Sequence, residues 1–198
     1  MSKPALSLQH VLFLFQWRMA QAPLEAGGTR MSARAPLDLE TLLARAEISD
    51  VVLRYATGID RRDWPLFRSC FTDQVELDFT SWSGGEVRSS DADEWVAGVA
   101  AGLSGFDATQ HISSNHVHEI DGDRATCVSY MIAHHHAVDA GERLMHKIGG
   151  YYTNRLRRGS DGWRIHACKL TVTWEMGDRA KLFGISQQRW QARNAAPA

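Results

Sequence analysis

The sequence has little cysteine: three residues, Cys70, Cys127 and Cys168, odd in number, far apart and without a CxxC pair. That excludes a disulfide framework and a thiolate metal site, and it points to a reducing, cytoplasmic compartment. A basic excess is also missing. With 22 Lys and Arg against 23 Asp and Glu, the formal net charge is -1. Nothing supplies the cationic surface that a phosphate backbone demands, so nucleic acid is not an expected partner. Long apolar runs are lacking as well. The VLFLF stretch near the start is far below the roughly 20 residues of a membrane span, and Gln9, His10, Gln16 and Arg18 interrupt its surroundings, so neither a membrane anchor nor a good signal peptide is expected. Internal repeats and low-complexity tracts are absent.

What remains is an ordinary globular composition, 44% hydrophobic and 23% charged, in a chain of 198 residues, which suits a single domain with a substantial core. Residues 1–35 end in the turn-rich PLEAGGTR and read as a mobile N-terminal extension. Residues 36–180 carry the periodic patterns of the domain, and residues 181–198 read as a C-terminal tail.

The domain opens with helical spacing. Leu39, Leu42, Leu43 and Ala46, then Ile48, Val52, Tyr55 and Ile59, advance in steps of three and four, predicting one long amphipathic helix or two short ones with Asp38 as N-cap. Asp63 and Pro65 mark a short second helix. Val75, Leu77 and Phe79 then alternate with polar residues as in a half-buried strand, SWSGGEVRSS reads as a loop or hairpin turn, and DEWVAGVAAGL as a third helix. From Gln110 to Trp174 the chain is almost continuous strand signal, broken by the turns DGD, DAGE and GSDG. Four such runs predict an antiparallel meander. Strands of about 12 to 15 residues far exceed the usual 5 to 6, so the sheet must curve, with Gly149-Gly150 as bend or bulge. The predicted class is α+β: a cone-shaped barrel of a strongly curved, mostly antiparallel sheet with the N-terminal helices on its concave face.

Chemistry centres on two residues. His111 begins the first long strand, beside Gln110 and Ser113 and four residues before Asn115. Asp60 falls at the C-terminal end of the first helix, where the helix dipole disfavours a carboxylate and a donor is needed. Spacing alone leaves open whether Asp60 meets His111 or makes a surface pair with Arg61 or Arg62. Tyr55 fits the apolar stripe of the same helix. The triplet His134-His135-His136 suggests a metal, but successive strand residues face opposite sides, so only His135 is expected at the cavity and no metal site is expected. An apolar, aromatic lining is expected from Phe79, Trp82, Phe106, Met131, Tyr152 and Trp174, although core packing is the better reading of Trp174.

In order, IDRRDWPLFRSCFTDQVELDF, FDATQHISSN, GDRATCVSYMIAHHH, GGYYTNRL and DGWRIHACKLTVTW resemble the SnoaL-like branch of the nuclear transport factor 2-like superfamily, over roughly residues 38 to 178. Its nearest look-alikes are scytalone dehydratase, bile acid dehydratase and hexachlorocyclohexane dehydrochlorinase. The resemblance implies a cone that is usually dimeric through the outer face of its sheet, with an Asp-His dyad at Asp60 and His111. It implies a catalytic Tyr at Tyr55, as in the bile acid enzyme, and a second catalytic His at His135, as in scytalone dehydratase. The two catalytic tyrosines of scytalone dehydratase fall on Ile59 and Phe79, and the cationic residue of the dehydrochlorinase falls on Cys168; both departures turn the expectation away from those two reactions.

The resulting expectation is a cofactor-independent lyase, a dehydratase of a hydroxylated steroid-like or polyketide-like ring. His111 is the general base, Asp60 fixes its tautomer, Tyr55 stabilises the developing enolate, and His135, Phe79, Trp82, Phe106, Met131, Tyr152 and Asn115 bind the substrate. The expected partners are a small apolar or aromatic ligand and a second copy of the chain. The alternatives are a ketosteroid-type isomerase and a non-catalytic ligand-binding protein like the small subunit of a ring-hydroxylating dioxygenase.

Overall fold

In the computed structural model, which describes residues 38–195, the long stripe of apolar residues forms one helix, α1 (Leu39–Arg61). Asp38 caps it, its carboxylate accepting from the Thr41 amide at 2.7 Å. The buried face of α1 carries Ile48, Val51, Val52, Tyr55 and Ile59. A short α2 (Trp64–Arg68) follows, capped by Asp63 with Pro65 in its first turn. The expected extension over residues 1–35 lies outside the described residues.

Strand β1 (Phe71–Asp78) leads through a one-turn α3 (Thr80–Ser83) to a short β2 (Arg88–Asp91), which turns back on β1, and α4 (Ala92–Leu103) closes the first half. Then come β3 (Ala108–Asp121), β4 (Arg124–Asp139), β5 (Glu142–Gly159) and β6 (Gly162–Met176) as an antiparallel meander. The six strands form one mixed sheet in the order β2-β1-β6-β5-β4-β3, with β1 parallel to β6. The sheet is open: β2 and β3 are its edges.

Alternation decides which side chains face the helices. Along β4, Ala125, Cys127, Ser129, Met131, Ala133, His135 and Ala137 are all buried, while the residues between them are half-buried or exposed. Each fully buried Ile, Leu or Phe contributes about 1.5–3 kcal/mol relative to an exposed one, and Phe67, Phe71, Ile165 and Leu156 at 0% exposure anchor this core. The register slips between Gly149 and Gly150, where the expected bend occurs. A second slip, between Ser114 and Val117 on β3, coincides with Asn115 at φ 52.

The C-terminal segment corrects the expectation of a tail. Residues Arg179–Ala195 form a helix, α5, that buries Leu182 and Ser186. Its seat requires a glycine, because a Cβ on Gly105 would overlap the Ser186 backbone. The Ser186 hydroxyl donates to the Gly102 carbonyl at 2.8 Å, and Arg189 bonds Asp107 at 3.1 Å. Among the described residues no helix is long and apolar enough to cross a membrane.

Candidate active site

The end of α1 sets the first functional pair. Arg62 adopts a left-handed conformation (φ 59, ψ 27), and its N–H closes the helix on the Gly58 and Ile59 carbonyls. Asp60 is thereby left in the last helical turn, facing the start of β3. Four interactions offset the unfavourable dipole there. The His111 ring nitrogen Nδ1 lies 2.7 Å from Oδ1, the His111 amide donates to Oδ2 at 2.7 Å, and the Thr109 hydroxyl donates to Oδ1 at 3.0 Å. Arg62 in turn donates to Thr109 Oγ1 at 2.7 Å, bringing its positive charge close. Burial pushes the Asp60 carboxyl up, but the hydrogen bonds and charge of His111 outweigh it and hold it below the usual carboxylate range.

A carboxylate can only accept, so the His111 nitrogen facing it is Nδ1–H. In the neutral ring Nε2 then carries a lone pair, and it makes no hydrogen bond to any described residue. His111 lines a cavity of about 390 Å³, within the roughly 300–1,000 Å³ that accepts one drug-sized ligand. Tyr55, Tyr152, Phe79, Trp95, Met131 and Leu170 make its walls, with Arg88 and Glu86 among its lining residues. The Tyr55 and Tyr152 hydroxyls lie 3.4 Å apart. Burial raises both phenols well above their ordinary value, so both stay protonated and remain donors.

Beside His111, on the same face of the neighbouring strand β4, sits His135, its ring centroid 5.8 Å away. It is 3% exposed and is held among Phe106 and Phe183. Burial, reinforced by the neighbouring His111 and His146 rings, pushes it down to about 3. His146, directly across the β4–β5 pair from His135, brings its Nδ1 within 3.4 Å of His135 Nδ1. The other nitrogen of His146 lies 2.7 Å from Glu175 Oε1, and Arg179 Nε is 3.4 Å from that same oxygen.

The structure brings Tyr55, Phe79, Trp82, Met131, His111, His135 and Tyr152 to one cavity. It does not bring Asn115 there. The left-handed bulge at Asn115 shifts the phase of β3, so Asn115 is exposed and His116 and His118 take the inward face in its place. Phe106 backs His135 from behind rather than lining the cavity. Trp174 is neither core nor lining: it is 43% exposed and covers Gly149. Phe183 lines the cavity from α5 and was missed with that helix; Leu182, Phe183 and Ile185 around Ser186 were its inward signal. Trp95 and Val99 come from α4, and their helical spacing was the available clue.

A separate grouping, His116, His118 and Cys127, has potential ligand atoms within 4.8 Å of one another. The Ser49 hydroxyl sits between the two rings, 2.9 Å from His118 Nε2 and 3.0 Å from His116 Nδ1, while Ser113 takes the other His116 nitrogen at 2.9 Å. Burial lowers both imidazoles and raises the Cys127 thiol to about 11. This arrangement works as a neutral hydrogen-bonded strut between α1 and β3, not as a ready thiolate site.

Residues 40–169 match the family model of the SnoaL-like domain. Among curated proteins, Rv2910c of Mycobacterium tuberculosis, described as uncharacterized, is 29% identical over 133 residues, covering 67% of this chain and 87% of its own. Among solved structures, the Kfla4162 protein of Kribbella flavida has a TM-score of 0.67 at 32% identity, covering 74% of this chain and 99% of its own. The hexachlorocyclohexane dehydrochlorinase LinA-type3 of Novosphingobium barchaimii LL02 has a TM-score of 0.58 at 18% identity, covering 72% of this chain and 95% of its own, a likeness of fold alone.

Proposed function

The chain belongs to the SnoaL-like domain family, and on that footing we propose that it is a cofactor-independent lyase that dehydrates a hydroxylated cyclic substrate. The observation that carries the reading is the 2.7 Å Asp60–His111 pair, with the far nitrogen of His111 free at an apolar cavity. His111 Nε2 removes a proton from a carbon next to a carbonyl. Electron density moves to the carbonyl oxygen, which accepts a hydrogen bond from the outer member of the Tyr55–Tyr152 pair. Collapse of the enolate expels the β-hydroxyl, which takes the proton from the His111 imidazolium and leaves as water. Asp60 stabilises the imidazolium while it exists. The step consumes no redox equivalent and uses only groups of this chain.

The lining favours a flat, largely apolar ring system, for which Phe79, Trp95 and Met131 supply contact area. A homodimer through the outer face of the sheet is part of the same proposal. That face exposes Ile112 (44%), Val117 (59%), Tyr130 (54%) and Ile132 (37%), more apolar surface than a single exposed side chain explains.

The test incubates wild type and His111→Ala with hydroxy-ketosteroids, hydroxyacyl thioesters and hydroxynaphthalenes and reads products by mass. Loss of one water with wild type alone is the expected result. A product of unchanged mass with a shifted double bond reassigns the protein as an isomerase. Binding without conversion in both proteins favours the ligand-binding reading instead.

A further inference from the structure

We propose that Glu175, at the protein surface, and the buried His146 form a relay that holds His135 as its Nδ1–H tautomer, turning a bare Nε2 to the cavity as a second proton acceptor beside His111. The argument is a count of donors. The Glu175 carboxylate, itself beside Arg179, can only accept, so the His146 nitrogen at 2.7 Å is Nε2–H. In the neutral ring His146 Nδ1 is then a lone pair. His135 Nδ1, 3.4 Å away, must be the donor, and His135 Nε2 is left without a proton. His135 lines the cavity and no described residue bonds that nitrogen.

The groups around His135 favour this state. His111 lies beside it on the neighbouring strand β3, Asp60 and Arg62 stand at the end of α1, His146 comes from β5, Glu175 from β6 and Arg179 from α5. Phe106 and Phe183 pack against the ring at centroid distances of 5.2 and 5.1 Å.

The consequence is a constraint on the substrate class. Both imidazoles present acceptors, so the ligand must offer a donor to each: the acidified C–H toward His111 and a free hydroxyl toward His135. An ether, ester or carboxylate at that second place meets a lone pair and is repelled. This consequence rests on the lyase reading, whereas the tautomer does not.

The deciding experiment is long-range proton–nitrogen NMR on the full chain with nitrogen-15 in its imidazole rings, near neutral pH and without ligand. Signals are assigned with His135→Gln and His146→Gln. The expected spectrum shows His135 with a protonated Nδ1 and a downfield, unprotonated Nε2. In Glu175→Leu, where His146 loses its acceptor, the His135 pattern shifts toward a tautomer mixture. A protonated His135 Nε2 in wild type, a doubly protonated His146, or a His135 pattern unchanged in Glu175→Leu would overturn the relay. A second arm compares binding of a hydroxynaphthalene with its O-methyl ether: weaker binding of the ether, with the loss erased in Glu175→Leu, is expected, and equal binding refutes the substrate constraint. Failure of every compound to be turned over, with the NMR result intact, would count against the dehydratase alone.

Discussion

His135 makes stability depend on pH in a way that one substitution isolates. Burial first, then the His111 and His146 rings, pushes its value from 6.5 to about 3 in the folded chain. Because the folded value is depressed, the unfolded chain binds a proton in the window between the two while the folded chain does not. Stability therefore falls as pH drops through 6.5 and levels off only below about 3. At pH 4.5 the gap is about two pH units, at about 1.36 kcal/mol each, so roughly 2.7 kcal/mol is lost relative to neutral pH. His135→Gln removes the titrating group while its amide still donates to His146 Nδ1. Urea unfolding followed by tryptophan fluorescence, near pH 7 and at pH 4.5, should show wild type losing about 2–3 kcal/mol more than His135→Gln. Protonation of Asp60, His116, His118 and His166 affects both proteins alike and drops out of the comparison. Equal losses in the two proteins would refute the burial argument.

Other outcomes follow from the same geometry. Asp60→Asn keeps the size of the side chain but permits the wrong tautomer of His111; on a substrate found in the panel, kcat should fall by about 10²–10⁴ with KM little changed. Burial raises the thiols of Cys70 and Cys168 to about 12 and of Cys127 to about 11, so a thiol reagent near neutral pH should modify none of the three until the protein is unfolded, as absorbance of the released group would report. Gly105→Ala should lower stability by roughly 1–3 kcal/mol by pushing α5 off its seat, seen as a lower Tm together with loss of the Trp82–Phe183 packing in tryptophan fluorescence.

Much of this was legible in the chain. The Asp38 cap and the three- and four-residue steps determined α1, and period-two alternation between Asp/Gly turns determined β3 to β6, because in both cases one face is buried over a long span. Three features were not legible, each for a local reason. In α5, Arg179, Lys181, Gln187, Gln188 and Arg189 surround the few inward residues, so its apolar stripe is too narrow to read. Asn115 was misplaced because alternation from His111 holds only until a residue enters the left-handed region, and an isolated asparagine in a strand does not announce that. Glu175 was overlooked because its partner His146 is 29 residues away and meets it only through the β5–β6 pairing. For the Asp60–His111 encounter, 51 residues apart, the unfavourable dipole at the end of α1 asked for a donor to Asp60, spacing left Arg61 and Arg62 as rival partners, and the resemblance pointed to His111.

The way Asp60 is held also bears on what remains when the imidazole is taken away. One of its oxygens is bound by the backbone amide of residue 111 and the other also accepts from Thr109, so His111→Ala removes a ring but leaves the carboxylate anchored and aimed. The variant is then a receptor with an imidazole-shaped vacancy, one polar anchor and apolar walls. Free imidazole added to the solution can enter that vacancy, and recovery of turnover with increasing imidazole would separate the chemistry of the ring from its attachment to the chain.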